Sequence, residues 1–195
     1  MGGVIVRAVV LSSFDGLGGV DVSEVDEPVV GDDGVLIRVV YAALGPWDVA
    51  TTHGAFAGAG GGNGFPQVLG WDFAGIVDSV GGQVSGFASG ERVLGFSPQP
   101  WSGIGALAEL IAVPAGTIAA VPTGLDLPAA AALPVSGLTA MLTLDSAAVV
   151  SADAVLVVGA TGGVGGFVTQ LARARGARVR SGCGTPARRE RGRRS

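Results

Sequence analysis

The stretch that most constrains the fold runs from Ala154 to Gly176 and combines a valine-rich run, a glycine-rich turn and an amphipathic segment. Its first part, AVLVV, is a continuous apolar run bounded by glycine, typical of a strand buried on both faces of a parallel sheet. After the turn, apolar residues recur at helical spacing, and Arg173 and Arg175 precede Gly176 as a helix stop signal. A second strand begins at Ala177. The stretch therefore predicts a strand, a turn, a helix and a strand in succession.

This succession is the first βαβ unit of a dinucleotide-binding fold. The glycines let the chain turn tightly and let a pyrophosphate approach bare backbone at the helix N-terminus. The residues expected to bind the cofactor are Gly159, Ala160, Gly162, Gly163, Val164 and Gly165. Two other interpretations are a tight turn in an ordinary α/β unit and a membrane span, because residues 154–172 carry no charge. The many glycines and the polar Thr161, Thr169 and Gln170 argue against the span.

The composition excludes several kinds of chemistry. The chain of 195 residues is long enough for one or two domains, and it contains one cysteine, Cys183, one histidine, His53, and no lysine. An internal disulfide, Schiff-base catalysis and a Walker-type phosphate loop are therefore excluded. Cysteine and histidine together supply at most two zinc ligands, so we expect no metal site. No N-terminal signal is visible, and a cytoplasmic location is the default expectation.

Charge is distributed unevenly along the chain. Residues 1–179 carry 6 Arg against 15 Asp and Glu, a net charge of −9, whereas residues 180–195 carry 6 Arg against one Glu, a net charge of +5. The basic segment has no apolar period and is predicted to be a disordered tail. A nucleic-acid-binding arm is one interpretation of this tail. We favour a shifted reading frame or a truncated gene model, because the change in composition falls inside a predicted strand.

The first part of the chain has the pattern of a β-domain. Strands are predicted over Val4–Leu11, around Val20 to Val25 and over Val35–Ala42, with acidic and glycine-containing turns between them. Glycines then punctuate the apolar anchors of residues 66–93, which is typical of strands that bend into a small closed barrel. Further predictions are a helix over residues 46–52, strands over 106–113 and 117–121, a helix capped by Asp126 and a helix over 138–144.

Three separated motifs give the chain a family resemblance. They are Val77-x-x-Val80-Gly81-x-x-Val84-x-x-Phe87-x-x-Gly90-Glu91-Arg92-Val93, the pair Ala130-Ala131-Ala132-Leu133-Pro134 and Gly137-Leu138-Thr139-Ala140, and the glycine turn. Residues 4–179 resemble the N-terminal portion of the medium-chain dehydrogenase/reductase superfamily, in its zinc-free, zeta-crystallin-like quinone oxidoreductase branch. The resemblance implies a mixed β and α/β fold, in which a GroES-like β-barrel domain precedes the first βαβ unit of a Rossmann domain. The expected divisions are residues 1–125 for the barrel, 126–179 for connecting helices and the βαβ unit, and 180–195 for the tail.

The resemblance also implies an activity. It indicates NADPH-dependent reduction of quinones, enones or similar carbonyl-conjugated small molecules, with the cofactor between the two domains and Thr139 near the nicotinamide. It indicates no nucleic-acid or membrane partner, and it is compatible with a homodimer for a full-length relative. The absence of an acidic residue between Asp153 and Glu190, with Arg178 and Arg180 nearby, favours NADPH over NADH.

Departures from the family pattern limit what can be assigned. Zinc-dependent members have a cysteine where this chain has Gly45-Pro46, and Gly-His-Glu where it has Gly70-Trp71-Asp72. Quinone-reductase relatives often have an asparagine at the position of Gly45. No catalytic residue is assigned; Trp47 and Trp71 are candidates for an apolar substrate cleft or for simple core packing, and we expect Asp48 to hold local backbone. The alternative function is a catalytically inactive fragment with weak nucleotide binding.

Overall fold

The computed structural model describes residues 5–58 and 64–182. Contacts divide the chain into two compact units, Met1–Val135 and Ser136–Ser195. The first unit contains eight of the ten described strands, and the second is built around one βαβ unit. Of the described helices, none is long and apolar enough to cross a membrane.

The strands of the first unit form two antiparallel sheets. The smaller sheet has the order β2-β1-β4, and the larger has the order β7-β3-β5-β6-β8. The strands are β1 Ile5–Leu11, β2 Val20–Asp26, β3 Gly34–Ala43, β4 Gln67–Val68, β5 Asp72–Val80, β6 Arg92–Phe96, β7 Leu110–Pro114 and β8 Ile118–Ala120. The predicted strands over residues 4–11 and 35–42 are confirmed within one or two residues of their ends.

The segment before β7 connects the two sheets through its backbone. Val9 N donates to Leu107 O at 2.8 Å, and Glu109 N donates to Arg7 O at 3.0 Å. On the other side, Val39 N donates to Glu109 O at 3.1 Å, while β7 itself pairs with β3. The buried cluster between the strands is apolar and consists of Val35, Ile37, Phe73, Val77, Val93, Ala106, Ile111 and Val113.

Three of the first four described helices correspond to predicted helices, and the short one that begins at Gln99 was not predicted. Helix α1 is Pro46–Thr52, α2 is Gln99–Ser102, α3 is Leu127–Ala131 and α4 is Pro134–Ser146. The Asp126 carboxylate caps α3 by accepting from Ala129 N at 2.9 Å, as its position predicts. Helix α4 begins four residues before the predicted range of 138–144, because a carboxylate on β5 accepts a hydrogen bond from the first turn of the helix.

The second unit has a parallel pair of strands, β9 Ala154–Val158 and β10 Arg178–Gly182, joined through helix α5, Gly163–Ala174. Its core contains residues of α4, β9 and α5, namely Ala140, Leu144, Val157, Val168, Ala172 and Ala177. Burial of β9 on both faces, which its apolar run predicts, is wrong in this structure. Leu156 and Val158 are 69% and 72% exposed, because the described helices cover only one face.

The end of β10 corrects one boundary. The predicted disordered tail starts at residue 180, whereas Arg180 pairs with Leu156 and Gly182 with Val158 in the parallel register. Residues 180–182 therefore continue the strand. The remainder of the predicted tail, residues 183–195, lies outside the described residues.

Candidate functional site

The turn between β9 and α5 brings six predicted cofactor-binding residues together. Gly159 has a left-handed backbone with φ of +79°, which favours glycine. Gly162 N donates to Gly159 O at 3.0 Å, and Gly162 is the extended N-cap residue of α5. The remaining members of the group, Ala160, Gly163, Val164 and Gly165, lie in this turn or in the first turn of the helix.

Helix α5 packs directly on the turn that precedes it. A Cβ atom added at Gly165 would lie 2.2 Å from the carbonyl oxygen of Gly159 and 3.0 Å from Cα of Ala160. Both contacts are with backbone atoms, which cannot rotate away as the end of a flexible side chain can. Position 165 therefore requires glycine for packing, independently of any ligand.

The N-terminus of α5 has the properties of an anion site. In the described part of the chain no side chain caps it, and its first turn contains no acidic residue. The first N–H groups of a helix have no partner within the helix, and the helix dipole is positive there. Gly162 and Gly163 are exposed, so a phosphate could reach these backbone groups without meeting a Cβ atom.

Thr139 lies outside this turn, on the exposed side of α4. In that helix the Thr143 hydroxyl donates to the Thr139 carbonyl at 2.7 Å. The buried Ser136, one turn earlier, is the residue that approaches the glycine turn, because a Cβ atom added at Gly163 would lie 2.9 Å from its Oγ. Sequence reasoning missed Ser136, since its position depends on how two helices pack and no local motif marks it.

The first unit contains a separate cluster of aromatic side chains centred on Trp71. Its ring centroid lies 6.2 Å from that of Trp47, 5.4 Å from that of Phe56 and 6.0 Å from that of Trp101. The indole nitrogens of Trp47 and Trp71 are buried and have no hydrogen-bond partner among the described residues. Trp47 and Trp71 thus share one apolar region, to which α1, the loop before β5 and α2 each contribute.

Asp48 follows Trp47 and is 5% exposed. Its Oδ2 accepts from Gly45 N at 2.7 Å, so the expectation that Asp48 holds local backbone is confirmed. Its Oδ1 is buried and has no partner within residues 5–58 and 64–182. Burial raises the pKa of this carboxyl, and the hydrogen bond from Gly45 N opposes the rise.

Asp72 is a second buried carboxylate in the same unit, at the start of β5, and it is 3% exposed. Its Oδ1 accepts from Val135 N at 2.6 Å, which caps the first turn of α4 from 63 positions earlier in the chain. This tertiary cap explains why α4 begins at Pro134. Burial raises the pKa of Asp72 to about 6; the Val135 hydrogen bond lowers it, and the charge of Asp48 raises it further.

Replacing Asp72 by asparagine tests whether the charge of this buried carboxylate lowers the stability of the fold. Because the pKa of Asp72 is higher in the folded than in the unfolded chain, stability falls as pH rises from about 4 to about 6 and is constant above. The asparagine oxygen can still accept from Val135 N, so Asp72→Asn is expected to be about 1 to 2 kcal/mol more stable at pH 7, after allowance for solvent screening.

The measurement is urea unfolding from pH 4 to pH 8. The difference between wild type and Asp72→Asn should disappear near pH 4, where both side chains are neutral. Asp78→Asn, which removes an exposed carboxylate from the same strand, is the matched control and should change the free energy of unfolding by less than about 0.5 kcal/mol. A wild type at least as stable as Asp72→Asn at pH 7 would contradict this account.

The chain's single histidine, His53, and its single tyrosine, Tyr41, both lie at the surface. His53 is exposed at the C-terminal end of α1, and Tyr41 is 45% exposed on β3. Within residues 5–58 and 64–182, no group of three His, Cys, Asp or Glu side chains could hold a metal ion. The described residues near Trp71 thus offer apolar surface and two carboxylates of raised pKa.

Comparisons with known proteins agree with this architecture. Residues 31–123 match the family described as the alcohol dehydrogenase GroES-like domain. The chain is 39% identical over 169 residues to the 2-methylene-furan-3-one reductase of Solanum lycopersicum, an alignment covering 83% of this chain and 43% of that protein. It is 36% identical to the quinone oxidoreductase of Sus scrofa, with 84% and 48% covered.

Among solved structures, the quinone oxidoreductase from Coxiella burnetii is similar with a TM-score of 0.83 at 30% identity, covering 91% of this chain and 56% of that one. The chain spans about half the length of the relatives it matches. Their agreement in sequence and structure extends over both described units. The chain belongs to the medium-chain dehydrogenase/reductase superfamily, in its quinone oxidoreductase branch, and comprises a GroES-like domain and the start of a Rossmann-type domain.

Proposed function

We propose that the protein containing this chain is a cytoplasmic, NADPH-dependent and zinc-independent reductase of quinones or enones. The observation that carries the proposal is the glycine turn before α5. The helix packs closely on this turn, and the backbone N–H groups at its N-terminus have no side-chain cap among the described residues. The printed names of relatives support the substrate class, since they include quinone oxidoreductases and an NADPH-dependent alkenal/one oxidoreductase of Arabidopsis thaliana.

Each proposed role rests on residues of this chain. The backbone at Gly162 to Gly165 binds the pyrophosphate, and the guanidinium groups of Arg178 and Arg180, both exposed on β10, bind the 2′-phosphate that distinguishes NADPH from NADH. Thr139 borders the nicotinamide, and Trp47 and Trp71 line the apolar side of the substrate. When bound, NADPH supplies a hydride to the conjugated acceptor, and the accompanying proton comes from water.

Zinc independence is supported by the residues at the positions of the family's catalytic ligands. Gly45 has no side chain, and the indole of Trp71 is not a metal ligand. Position 45 also has no room for a ligand in this structure, because a Cβ atom there would lie 2.3 Å from the Trp47 ring. The chain therefore fits a reductase that activates its substrate without a metal ion.

A second proposal concerns the 195-residue polypeptide by itself, which we expect to bind nucleotide weakly and to be inactive. The observation that favours this is the exposure of Leu156 and Val158, since both faces of a parallel sheet are normally covered. At about 25 cal/mol per Å² of apolar surface left in water, such exposure weakens a domain whose total stability is only about 5 to 15 kcal/mol.

The test measures NADPH oxidation with 1,4-benzoquinone for two proteins. One is the 195-residue polypeptide, and the other is a chimera in which residues 1–182 are followed by the remaining part of the Coxiella burnetii quinone oxidoreductase. The chimera is expected to reduce quinone with NADPH in preference to NADH and to be unaffected by EDTA. In the Arg178→Ala/Arg180→Ala variant, the KM for NADPH is expected to rise by about tenfold or more. The polypeptide alone is expected to show no turnover.

Several outcomes would count against these proposals. An equal or greater preference of the chimera for NADH would overturn the assignment of the arginines. Loss of activity in EDTA would overturn zinc independence. Turnover by the 195-residue polypeptide at a rate near that of the chimera would overturn the proposal that it is inactive alone.

A further inference from the structure

The hydroxyl group of Ser136 lies beside the N-terminus of helix α5. A Cβ atom built on Gly163, the first residue of that helix, would lie 2.9 Å from Ser136 Oγ and 3.7 Å from Ser136 Cβ. In an α-helix the Cα–Cβ bond is tilted toward the N-terminus. The Ser136 oxygen is therefore displaced from Gly163 toward the end of α5 at which the first backbone N–H groups have no partner within the helix.

This hydroxyl is buried and still has its hydrogen to donate. Ser136 is 9% exposed. Thr143 on the same helix and Thr169 on α5 donate their hydroxyls to the carbonyl four residues earlier, at 2.7 and 2.8 Å. No corresponding hydrogen bond from Ser136 Oγ is present in the described part of the chain. A buried hydroxyl normally finds a partner, so the position of Ser136 indicates a ligand that accepts a hydrogen bond.

The surroundings of the hydroxyl favour an anionic acceptor. The first turn of α5 contains no acidic residue, and the helix dipole is positive at this end. Gly163 is exposed, so a ligand that contacts its backbone can also reach the neighbouring hydroxyl. Because Gly163 has no side chain, nothing at that position presses on Ser136 Oγ. A hydroxyl and several backbone N–H groups, all of them donors, match the oxygens of a phosphoryl group.

The backbone that carries Ser136 is held in place before any ligand binds. The preceding residue, Val135, donates its N–H to Asp72 Oδ1 at 2.6 Å, which orders the first turn of α4. Together with its burial, this fixes the position from which the Ser136 hydroxyl projects. A donor that is already in place loses little conformational entropy when a ligand binds, so its hydrogen bond contributes fully to affinity.

We propose that the Ser136 hydroxyl donates a hydrogen bond to a phosphoryl oxygen of a diphosphate group bound at the N-terminus of α5. The backbone N–H groups of Gly163 to Gly165 hold the same diphosphate. Ser136 is thus a ligand-binding residue that α4 supplies from outside the glycine motif. The identification of the diphosphate as part of NADPH rests on the proposed function, whereas the binding of a diphosphate does not.

The test titrates the full 195-residue chain, labelled with nitrogen-15, with inorganic pyrophosphate. The dissociation constant is measured from the NMR shifts of the Gly163 and Gly165 amides. Ser136→Ala is expected to weaken binding about tenfold, the effect of one hydrogen bond to a charged group. Because the hydroxyl has no described protein partner, the same substitution should leave thermal unfolding unchanged. Ser136→Thr, which keeps a hydroxyl, should bind pyrophosphate more tightly than Ser136→Ala.

Ser146→Ala is the matched control, since Ser146 is the exposed last residue of the same helix. It should change neither the affinity for pyrophosphate nor thermal unfolding. Equal affinities of the wild type and Ser136→Ala would overturn the inference. A weaker affinity of Ser136→Ala that accompanies a loss of thermal stability would also overturn it, because the hydroxyl would then act on the fold and not on the ligand.

The chimera separates this inference from the proposed function. There Ser136→Ala should raise the KM for NADPH about tenfold, with a much smaller effect on kcat, because the hydrogen bond is present before and during the reaction. Pyrophosphate binding that depends on Ser136, in a chimera without quinone turnover, would support the inference and count against the reductase. Quinone turnover with a KM that Ser136→Ala does not change would support the reductase and overturn the inference.

Discussion

Replacing Gly165 by alanine is expected to disrupt the glycine turn and to lower NADPH affinity by roughly tenfold or more. The added Cβ would lie 2.2 Å from the Gly159 carbonyl oxygen, a distance that such atoms do not adopt, so α5 and the turn must separate. The backbone N–H groups would then lose their alignment toward the pyrophosphate. The same displacement should cost the second unit about 3 kcal/mol of stability, as overpacking does elsewhere.

The neighbouring Gly166→Ala is the matched control. A Cβ atom there would lie 3.7 Å from the Ala160 carbonyl oxygen, an ordinary van der Waals contact. Since alanine has a higher helix propensity than glycine, Gly166→Ala should stabilise α5 by about 0.5 to 1 kcal/mol and leave nucleotide binding unchanged. Thermal unfolding and NADPH titration of the chimera measure both variants. Equal behaviour of the two variants would show that the packing of α5 on the turn is not what requires glycine at position 165.

Phe73→Ala is expected to lower the free energy of unfolding of the first unit by about 3 to 5 kcal/mol. Phe73 is on β5 with no exposed surface, and it packs in the cluster that contains Ile37, Val93 and Ile111. Because β5 pairs with both β3 and β6, the strands around the resulting cavity are held apart by their own hydrogen bonds and cannot collapse into it.

The same substitution at an exposed ring provides the comparison. Phe65 is 42% exposed, and its main aromatic neighbour is Phe14, so Phe65→Ala should cost only about 1 kcal/mol. Urea unfolding followed by far-ultraviolet circular dichroism measures both variants. If the two substitutions cost the same, the core of the first unit does not depend on the cluster that contains Phe73.

Features with local signals could be predicted from the sequence. The N-cap Asp126, the proline at the start of α1 and the valine run of β9 each act on neighbouring residues, so their patterns are visible in short windows. The glycine turn was predictable for the same reason. Its strand, its glycines and its helix lie within one continuous stretch, and the spacing of the glycines follows from the tight turn.

Features that depend on distant residues could not be predicted. The start of α4 is fixed by a carboxylate on β5, and no local residue supplies an equivalent cap. The aromatic cluster around Trp71 joins rings from separate segments, and the sequence pattern of none of them indicates the others. The apolar run of β9 indicates burial but not which elements cover each face, and one face of β9 is exposed in this structure.

The long-range cap has a consequence for the order in which the chain folds. Val135 N finds its partner on a strand 63 residues closer to the N-terminus, and that strand is itself held between β3 and β6. An uncapped helix start is poorly stable alone, since nucleation is the costly step of helix formation. We infer that α4 gains its first turn only after the larger sheet has assembled, so that during synthesis the finished sheet acts as the template on which the next part of the protein begins.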